Sequence, residues 1–415
     1  MLWSFSQDRK PVKLFNFSFP IGIPDSQVPD LYKEKISYPE FYHSSSKVYP
    51  ILKSLRVQNI GKEGTIQLGK RNTAAFNRAL TSAKKGDTIR LIENESYTFL
   101  GGILAQYLDG ITIDFAGYSR FIHSTEHWPY ERESSQFWPA FHVKDCTNIV
   151  ITSSATKKAV VSVDYEKNEI FLDPDGGAGG IIDGYGKKWW NDAIIGKIPV
   201  ESRPRLIYIE SSMNIVVEYL TLINSPYWTL TIETLGGEVR NVNVLIDRNY
   251  QRGLRNQTSI LEEERPSDIS PIRSLGRSKL RKFHFPDLIP QWILRPLSLN
   301  TDGIDPIGSN IWIHDCFVLN DDDSVAVKPP LDNTEGYVLN KTIPYKCTQD
   351  ILIENMVLSG FGASVGSVGP SQYHPCVDRI TFRNITMPGT GKGIYIKSNK
   401  SDCQGNISSQ ITNIL

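Results

Sequence analysis

A short block that returns five times organises this sequence. It is about eleven residues long, opens on a polar residue and then alternates apolar with polar positions. The copies are NIVITS from Asn148, NIVVEYLTLIN from Asn214, NIWIHDCFVLN from Asn310, DILIENMVLSG from Asp350 and RITFRNITMPG from Arg379. In each, the second and fourth positions are aliphatic or aromatic, so a period of two sets them on one face of a strand. A turn residue follows, then a second short strand: WTLTIE from Trp228, SVAVK from Ser324, ASVGSV from Ala363, GIYIKS from Gly393. No helical pattern separates the copies, which argues against the crossover helices of a doubly wound sheet. The returns fall near one to two units of roughly 20 to 35 residues, the period of stacked coils. The predicted fold is therefore all-β, a parallel β-helix (solenoid) in which each coil covers the open edge of the one before. An immunoglobulin-like sandwich would favour hairpins with Asn-Gly or Asp-Gly turns, and few of these are present.

Such a stack needs its first coil covered. NTAAFNRALTSAKKGDT, residues 72–88, is predicted to be an amphipathic capping helix, with Asn72 or Thr73 at its N-cap and Gly86 past its end. Residues 1–60 are expected to form an irregular arm and residues 61–415 the β-helix domain. Residues 250–296 interrupt the repeat with an insertion rich in Arg273, Arg277, Lys279, Arg281 and Lys282, which reads as a solvated loop or a substrate-facing flap. The last residues, Asn413-Ile414-Leu415, copy the block's opening as Asp350-Ile351-Leu352 does, so the C-terminal coils are expected to be truncated.

Charge and composition narrow the function. With 45 basic and 45 acidic side chains the net charge is zero, which argues against a nucleic-acid or membrane-surface partner. No apolar run approaches the roughly 18 to 20 residues that span a bilayer. The start, MLWSFSQDRKPVKLF, is broken by Asp8, Arg9, Lys10 and Lys13 before an apolar leader segment can form. The cysteines (Cys146, Cys316, Cys347, Cys376, Cys403) lack C-x-x-C spacing, so no zinc knuckle is expected. The histidines are not read as metal ligands, and His314, inside a strand copy, reads as structural. Sequons at Asn16, Asn94, Asn256, Asn340, Asn384, Asn399 and Asn406 lean toward a secretory, extracellular route. A monomer without metal or cofactor is expected.

Chemistry concentrates in LNDDDSVAVK, residues 319–328, where Asp321, Asp322 and Asp323 stand side by side. Adjacent carboxylates raise one another's pKa, an arrangement that acid–base chemistry or a cation can use; otherwise the triplet is an acidic turn capping a strand. Asn300-Thr301-Asp302-Gly303 precedes the Asp322–Asp323 pair by about one coil. Neighbouring strands lie roughly 4.7 to 4.9 Å apart, so Asp302 is predicted to stack beside Asp322 and Asp323. Glycoside hydrolysis uses such a set, one carboxyl held protonated as acid and another acting as base or nucleophile.

These motifs carry a resemblance. N-T-D-G, then D-D, then G-x-G-x-S-x-G-S from Gly360, then I-x-I-K ending at Lys397, in that order and at coil spacing, resemble the polygalacturonase family of pectin-degrading enzymes, glycoside hydrolase family 28. The likeness runs from about Thr73 onward and takes in Asp183-Gly184-Tyr185-Gly186 with Trp189-Trp190, Arg203-Pro204-Arg205, and Asn224-Ser225-Pro226-Tyr227-Trp228. It implies a right-handed parallel β-helix that hydrolyses α-glycosidic bonds with inversion and without metal. In that reading Asp322 is the general acid and Asp302 and Asp323 activate water. Lys397, Asn300, Tyr395 and Phe361 are the candidate substrate contacts. Where the family has G-H-G this sequence has Gly360-Phe361-Gly362, and where it has R-I-K it has Tyr395-Ile396-Lys397. The branch that cleaves rhamnogalacturonan also lacks that histidine and arginine and ends its motif as Ile396-Lys397-Ser398-Asn399 does, so a rhamnose-containing pectic glycan is the expected polysaccharide. Ser324 replaces the cysteine that follows the aspartate pair in many relatives, and Cys347 with Cys376, or Cys376 with Cys403, would compensate. A calcium-dependent lyase on a similar β-helix and a catalytically degenerate carbohydrate-binding protein are the alternatives.

Overall fold

The computed structural model describes residues 62–93, 95–158, 160–164, 169–173, 179–246, 299–330, 336–338, 341–343, 347–368, 376–387, 390–398 and 407–414. Among the described residues, twenty strands pair in parallel as one connected sheet system that winds as a parallel β-helix with three faces. The first face begins with Thr88–Arg90, Thr112–Asp114 and Thr147–Thr152. The second begins with Ser96–Phe99 and Tyr118–Phe121 and runs through Thr221–Ile223 to Phe317–Leu319. The third begins with Ile103–Gln106 and Phe141–Lys144 and ends with Val325–Val327, Ala363–Val368 and Ile394–Ser398. Long strands such as Ile207–Glu218, Leu230–Arg240 and Ile304–His314 run from the third face around a corner onto the first.

Register explains the repeat. The block's second positions, Ile149, Ile215, Ile311, Ile351 and Ile380, stack coil on coil, as do its fourth positions, Ile151, Val217, Ile313, Ile353 and Phe382. All ten are buried, forming the inward ladder of the core. The opening polar residue has a different task. Asn148, Asn214, Asn310, Asp350 and Arg379 all have φ between 50° and 58°, the left-handed corner between two faces that Asn and Asp tolerate better than most side chains. Their side chains bond along the stack: Asn214 Nδ2 donates to Asn148 Oδ1 at 3.1 Å, and Arg379 Nε donates to Asp350 Oδ1 at 2.6 Å. In the coil between Asn214 and Asn310, Gly236 takes the same corner at φ 75°. Because a glycine offers no side chain to the ladder, Asn310 Nδ2 above it is left without a hydrogen bond among the described residues. Asn214→Ala is expected to cost about 1 to 2 kcal/mol in urea unfolding, through the lost bond and the strained φ, and Asn214→Gly less, because glycine accepts that φ.

The cap differs in extent from the prediction. The helix α1 spans Lys62–Ser82, starting ten residues before Asn72 and stopping short of residue 88. Its Phe76 is wholly buried and meets the rings of Phe99, Phe115 and Phe141 in the first coils. Asn72 and Thr73 are not caps. Asn72 Nδ2 donates to the Thr98 carbonyl, and Thr73 bonds the Leu100 backbone, tying the helix to the strand below it. The last block also differs from its reading. Strand Ile407–Ile414 pairs with Cys376–Thr386, with Ile411 opposite Phe382 and Ile414 opposite Ile385. Asn413-Ile414 therefore continues a block already begun and does not open a new one. The arm at 1–60 and the insertion at 250–296 lie outside the described residues. Cys347 and Cys376, facing each other in adjacent coils, form a disulfide; Cys403 lies outside the described residues. Cys146 and Cys316 are free thiols, pushed up to about 12 by burial.

Candidate active site

The three aspartates meet at the edge where the chain turns from the second face onto the third. Asp302 immediately precedes strand Ile304–His314, while Asp322 and Asp323 occupy the turn before Val325–Val327. Gly303 N donates to the Asp323 carbonyl at 2.9 Å and Ile304 N to the Ser324 carbonyl at 3.0 Å, so the two turns stack one coil apart. Only glycine fits at 303, because a Cβ there would lie 2.4 Å from the Ser324 carbonyl oxygen. The buried Asn320 links both turns. Its Nδ2 donates to the carbonyls of Thr301 at 2.9 Å and Asp323 at 2.7 Å, and its Oδ1 accepts from the Ser324 hydroxyl at 3.1 Å. Carboxylate oxygens of Asp302, Asp322 and Asp323 all lie within 4.8 Å of one another.

The three carboxyl groups have different surroundings. Burial pushes Asp322 up to about 7, with the charges of Asp302 and Asp323 acting in the same direction. Backbone amides of Asn300 and Asp323, each at 2.8 Å, oppose the rise and fix the carboxyl group. Asp302 Oδ2 accepts from Lys328 Nζ at 2.8 Å, and the same ammonium lies 3.4 Å from Asp305 Oδ1. Asp305 is fully buried, and no described residue hydrogen-bonds either of its oxygens. Burial therefore holds its pKa well above the usual carboxylate range, more strongly than Lys328 lowers it. Burial disfavours the Lys328 ammonium, but Asp302 and Asp305 outweigh that and raise its pKa. Lys328 also lies 4.3 Å from the Trp228 ring centroid, which contributes cation–π attraction.

Asp323 is held from the C-terminal side. Ser364 donates to Asp323 Oδ2 at 2.9 Å, and Tyr395 Oη and Lys397 Nζ also bond its carboxylate. Register accounts for this, since Ala326, Ser364 and Tyr395 stack on successive coils of the third face. Tyr395 and Lys397 thus sit at the aspartate cluster. Asn300 contributes through its backbone, with its amide on Asp322. Phe361 is half-buried one coil further on and donates its amide to the Asp322 carbonyl at 2.9 Å, with Lys392 Nζ 5.1 Å from its ring centroid. Trp189 and Trp190 are core residues, 0% and 1% exposed. His314 is likewise structural, bonding Asp315 at 2.7 Å and Glu238 at 3.0 Å. Lys328, Asp305, Asn320 and Ser364 did not stand out in the sequence. Lys328 had a usable signal: in SVAVK the period of two turns Ser324, Ala326 and Lys328 to the side opposite Val325 and Val327.

Comparison with known proteins bears directly on this arrangement. The sequence profile described as glycosyl hydrolases family 28 matches residues 147–414, most of the chain and the whole aspartate cluster. The protein belongs to glycosyl hydrolase family 28. An endo-polygalacturonase of Pectobacterium carotovorum subsp. carotovorum is 25% identical over 336 residues, 79% of this chain and 65% of that protein. A probable rhamnogalacturonase B of Aspergillus fumigatus is 36% identical over 100 residues, 24% of this chain and 15% of that one. The chain spans less than two thirds of the length of these curated relatives. Among solved structures, the endo-xylogalacturonan hydrolase of Aspergillus tubingensis superposes with a TM-score of 0.55 at 18% identity, covering 89% of this chain and 72% of that one. That likeness is one of fold, and it agrees with the parallel β-helix seen here.

Within this family 28 member, the replaced positions change what surrounds the cluster. The phenol of Tyr395, where the family pattern has arginine, hydrogen-bonds Asp323 and carries no charge for a sugar acid.

Proposed function

We propose that this protein hydrolyses α-glycosidic bonds of a pectin-related polysaccharide, with Asp322 as general acid and Asp302 and Asp323 orienting and activating the water. The observation that carries this is the separation of roles among the three carboxyl groups. Asp322 is pushed up to about 7 and so holds a proton near neutral pH, while Asp302 and Asp323 each accept from a lysine ammonium. An acid able to protonate a leaving oxygen, beside two carboxylates able to take a proton from water, is the set that glycoside hydrolysis requires. Lys397, Tyr395, Asn300 and Phe361 border the cluster, and Lys397 is the cation suited to a sugar carboxylate on the C-terminal side. The matched rhamnogalacturonase segment and the missing arginine both support a glycan containing rhamnose. A polymer of this kind does not cross membranes, so the protein would act outside the cell; no helix of the described residues is long and apolar enough to span a bilayer.

Stereochemistry distinguishes two forms of this mechanism. The family reading is inversion, and each of the three carboxyl groups places an oxygen within 4.8 Å of the other two, a nearest-atom limit below the group-to-group separations of both inverting pairs, roughly 6.5 to 9.5 Å, and retaining ones, roughly 5 to 5.5 Å. Two aspartates gripping one water against the acid would allow a short separation with a single displacement. The deciding experiment measures reducing ends released from homogalacturonan, rhamnogalacturonan and xylogalacturonan by the protein and by Asp322→Asn, with the first-formed anomer followed by NMR. Hydrolysis of the rhamnose-containing polymer to the inverted anomer is expected. A retained anomer would make one of the aspartates a nucleophile, and no release from any polymer would remove the hydrolase reading.

Clustered carboxylates can also hold a cation, as in a calcium-dependent lyase. Here Lys328, Lys397, Tyr395 and Ser364 already occupy oxygens of Asp302 and Asp323, supplying the positive charge that a metal would bring. Activity is accordingly expected to be unchanged, within about twofold, by a chelator. Loss of activity that calcium restores, with products absorbing as unsaturated sugars, would support the lyase.

A further inference from the structure

On the third face, toward the N-terminus from the aspartates, Arg205 stands among aromatic rings. Its Cζ lies 4.2 Å from the Tyr208 ring centroid and 4.6 Å from that of Trp228. All three side chains are half-buried, neither sealed in the core nor free in solvent. The Tyr208 ring is itself stacked on His142, with centroids 5.0 Å apart and planes at 12°, so the platform under the guanidinium is braced from a further coil. Among the described residues no carboxylate forms an ion pair with Arg205, although its guanidinium hydrogen-bonds the Tyr208 side chain and its charge acts on the buried Asp305. Other arginines of the β-helix are paired, Arg240 with Glu218 and Glu238, Arg379 with Asp350, and Arg383 with Glu354. Arg203, two residues away, is spent on the carbonyls of Val200, Pro226 and Leu299. The acids along this face are already engaged as well: Glu210 by His142 and Lys144, Glu233 by the Tyr208 hydroxyl, Asp302 and Asp305 by Lys328.

The placement relative to the aspartates follows from register. Leu206 N bonds the Trp228 carbonyl and Thr229 N bonds the Asp302 carbonyl, so Arg205 is two coils before Asp302, roughly 10 Å at a strand spacing of about 4.7 to 4.9 Å. Trp228 bridges the interval, in cation–π contact with both Arg205 and Lys328. A guanidinium stacked on aromatic faces keeps its planar fork in one orientation, and that fork matches a carboxylate with two parallel hydrogen bonds.

We propose that Arg205 binds the carboxylate of a uronic acid residue on the N-terminal side of the scissile bond, opposite Lys397, and so selects acidic glycans. Tyr208 and Trp228 are its positioning residues. The inference rests on the hydrolase reading of the aspartates and adds a second charge-recognition point to it, on the side away from the position where the family pattern's arginine has become Tyr395.

The test compares the protein with Arg205→Met and Arg205→Lys on a pectic oligosaccharide and on the same oligosaccharide with its carboxyl groups reduced to alcohols. The wild-type preference, the ratio of kcat/KM on the acid to that on the reduced sugar, is expected to fall about 10- to 100-fold in Arg205→Met, mainly through KM, as a charge-assisted bidentate contact is lost. Arg205→Lys keeps the charge without the fork and is expected to fall in between; it also serves should the methionine variant fail to fold, as circular dichroism would show. An unchanged ratio, or equal loss on both sugars, would overturn the inference. If the wild type hydrolyses neither sugar, the hydrolase reading fails, and calorimetric titration of both sugars into wild type and variant still decides Arg205. Tighter binding of the acid, lost in the variant, supports it, and equal binding of the two sugars or none sinks it.

Discussion

Asp322→Asn is expected to lower kcat by about 10²- to 10⁴-fold, the usual contribution of a general acid, and at the same time to make the protein more resistant to heat at alkaline pH. Both effects come from one environment. Asp322 has an ordinary value of 3.8 and rises to about 7 in the fold, first through burial and then through Asp302 and Asp323. Between those pH values the unfolded chain releases a proton that the folded chain keeps, so folding stability falls as pH rises from about 4 to about 7. An asparagine escapes that loss. The variant should therefore melt a few degrees above the wild type near pH 8 and within a degree or two of it near pH 4. The alkaline limb of the wild-type rate profile should fall near pH 7, as an apparent value belonging to the three coupled carboxyl groups and not to Asp322 alone. A variant with full activity, or one less stable than wild type at pH 8, would show that Asp322 is not a strained, protonated acid.

The fold was legible because a solenoid writes its architecture into local sequence. Each block shows its apolar second and fourth positions, and the register stacks those residues in the core. Even the polar first position was visible, although its reason was not: the left-handed corner at Asn148, Asn214 or Asp350 is a backbone fact that Asn and Asp only hint at. The capping helix was misplaced because KEGTIQLGK carries Gly64 and Gly69, which count against a helix by propensity. Packing of Ile66 and Phe76 onto the first coils overrides that local cost. The end of the chain was misread for the opposite reason. Asn413-Ile414 imitates a block's opening, and only the pairing of Ile414 with Ile385 across the coil shows it to continue a block already begun.

The site was legible where one coil of register sufficed. Asp302 and the Asp322–Asp323 pair could be stacked from spacing alone, and the structure brings their oxygens together. Contacts spanning two or more coils were not accessible in this way. Tyr395 and Lys397 read as sugar contacts from their motif, yet the structure ties both to Asp323. Asp305 offered no signal, because a strand position pointing outward is normally solvated, whereas here it is fully buried with Lys328 3.4 Å away.

Lys328→Met is expected to have the second large effect, on both activity and stability. The ammonium bonds Asp302 at 2.8 Å and lies 3.4 Å from Asp305, and all three residues are buried. Removing one partner from a buried charged cluster costs about 3 to 5 kcal/mol, because the remaining carboxylate keeps its desolvation cost without its cation. Methionine fills nearly the same volume, so the loss reports charge and not a cavity. A carboxylate without its cation takes up a proton more readily, so the acidic limb of the rate profile should move to higher pH. At the pH optimum kcat should fall by about 10²-fold or more, as base strength and water orientation both suffer. Lys328→Arg keeps the charge in a larger, flatter group and should recover part of the stability and return the acidic limb toward the wild-type position. A methionine variant that is less stable yet has an unshifted profile would reduce Lys328 to a packing role. A shifted acidic limb rescued by arginine would tie it to the carboxylate that activates the water.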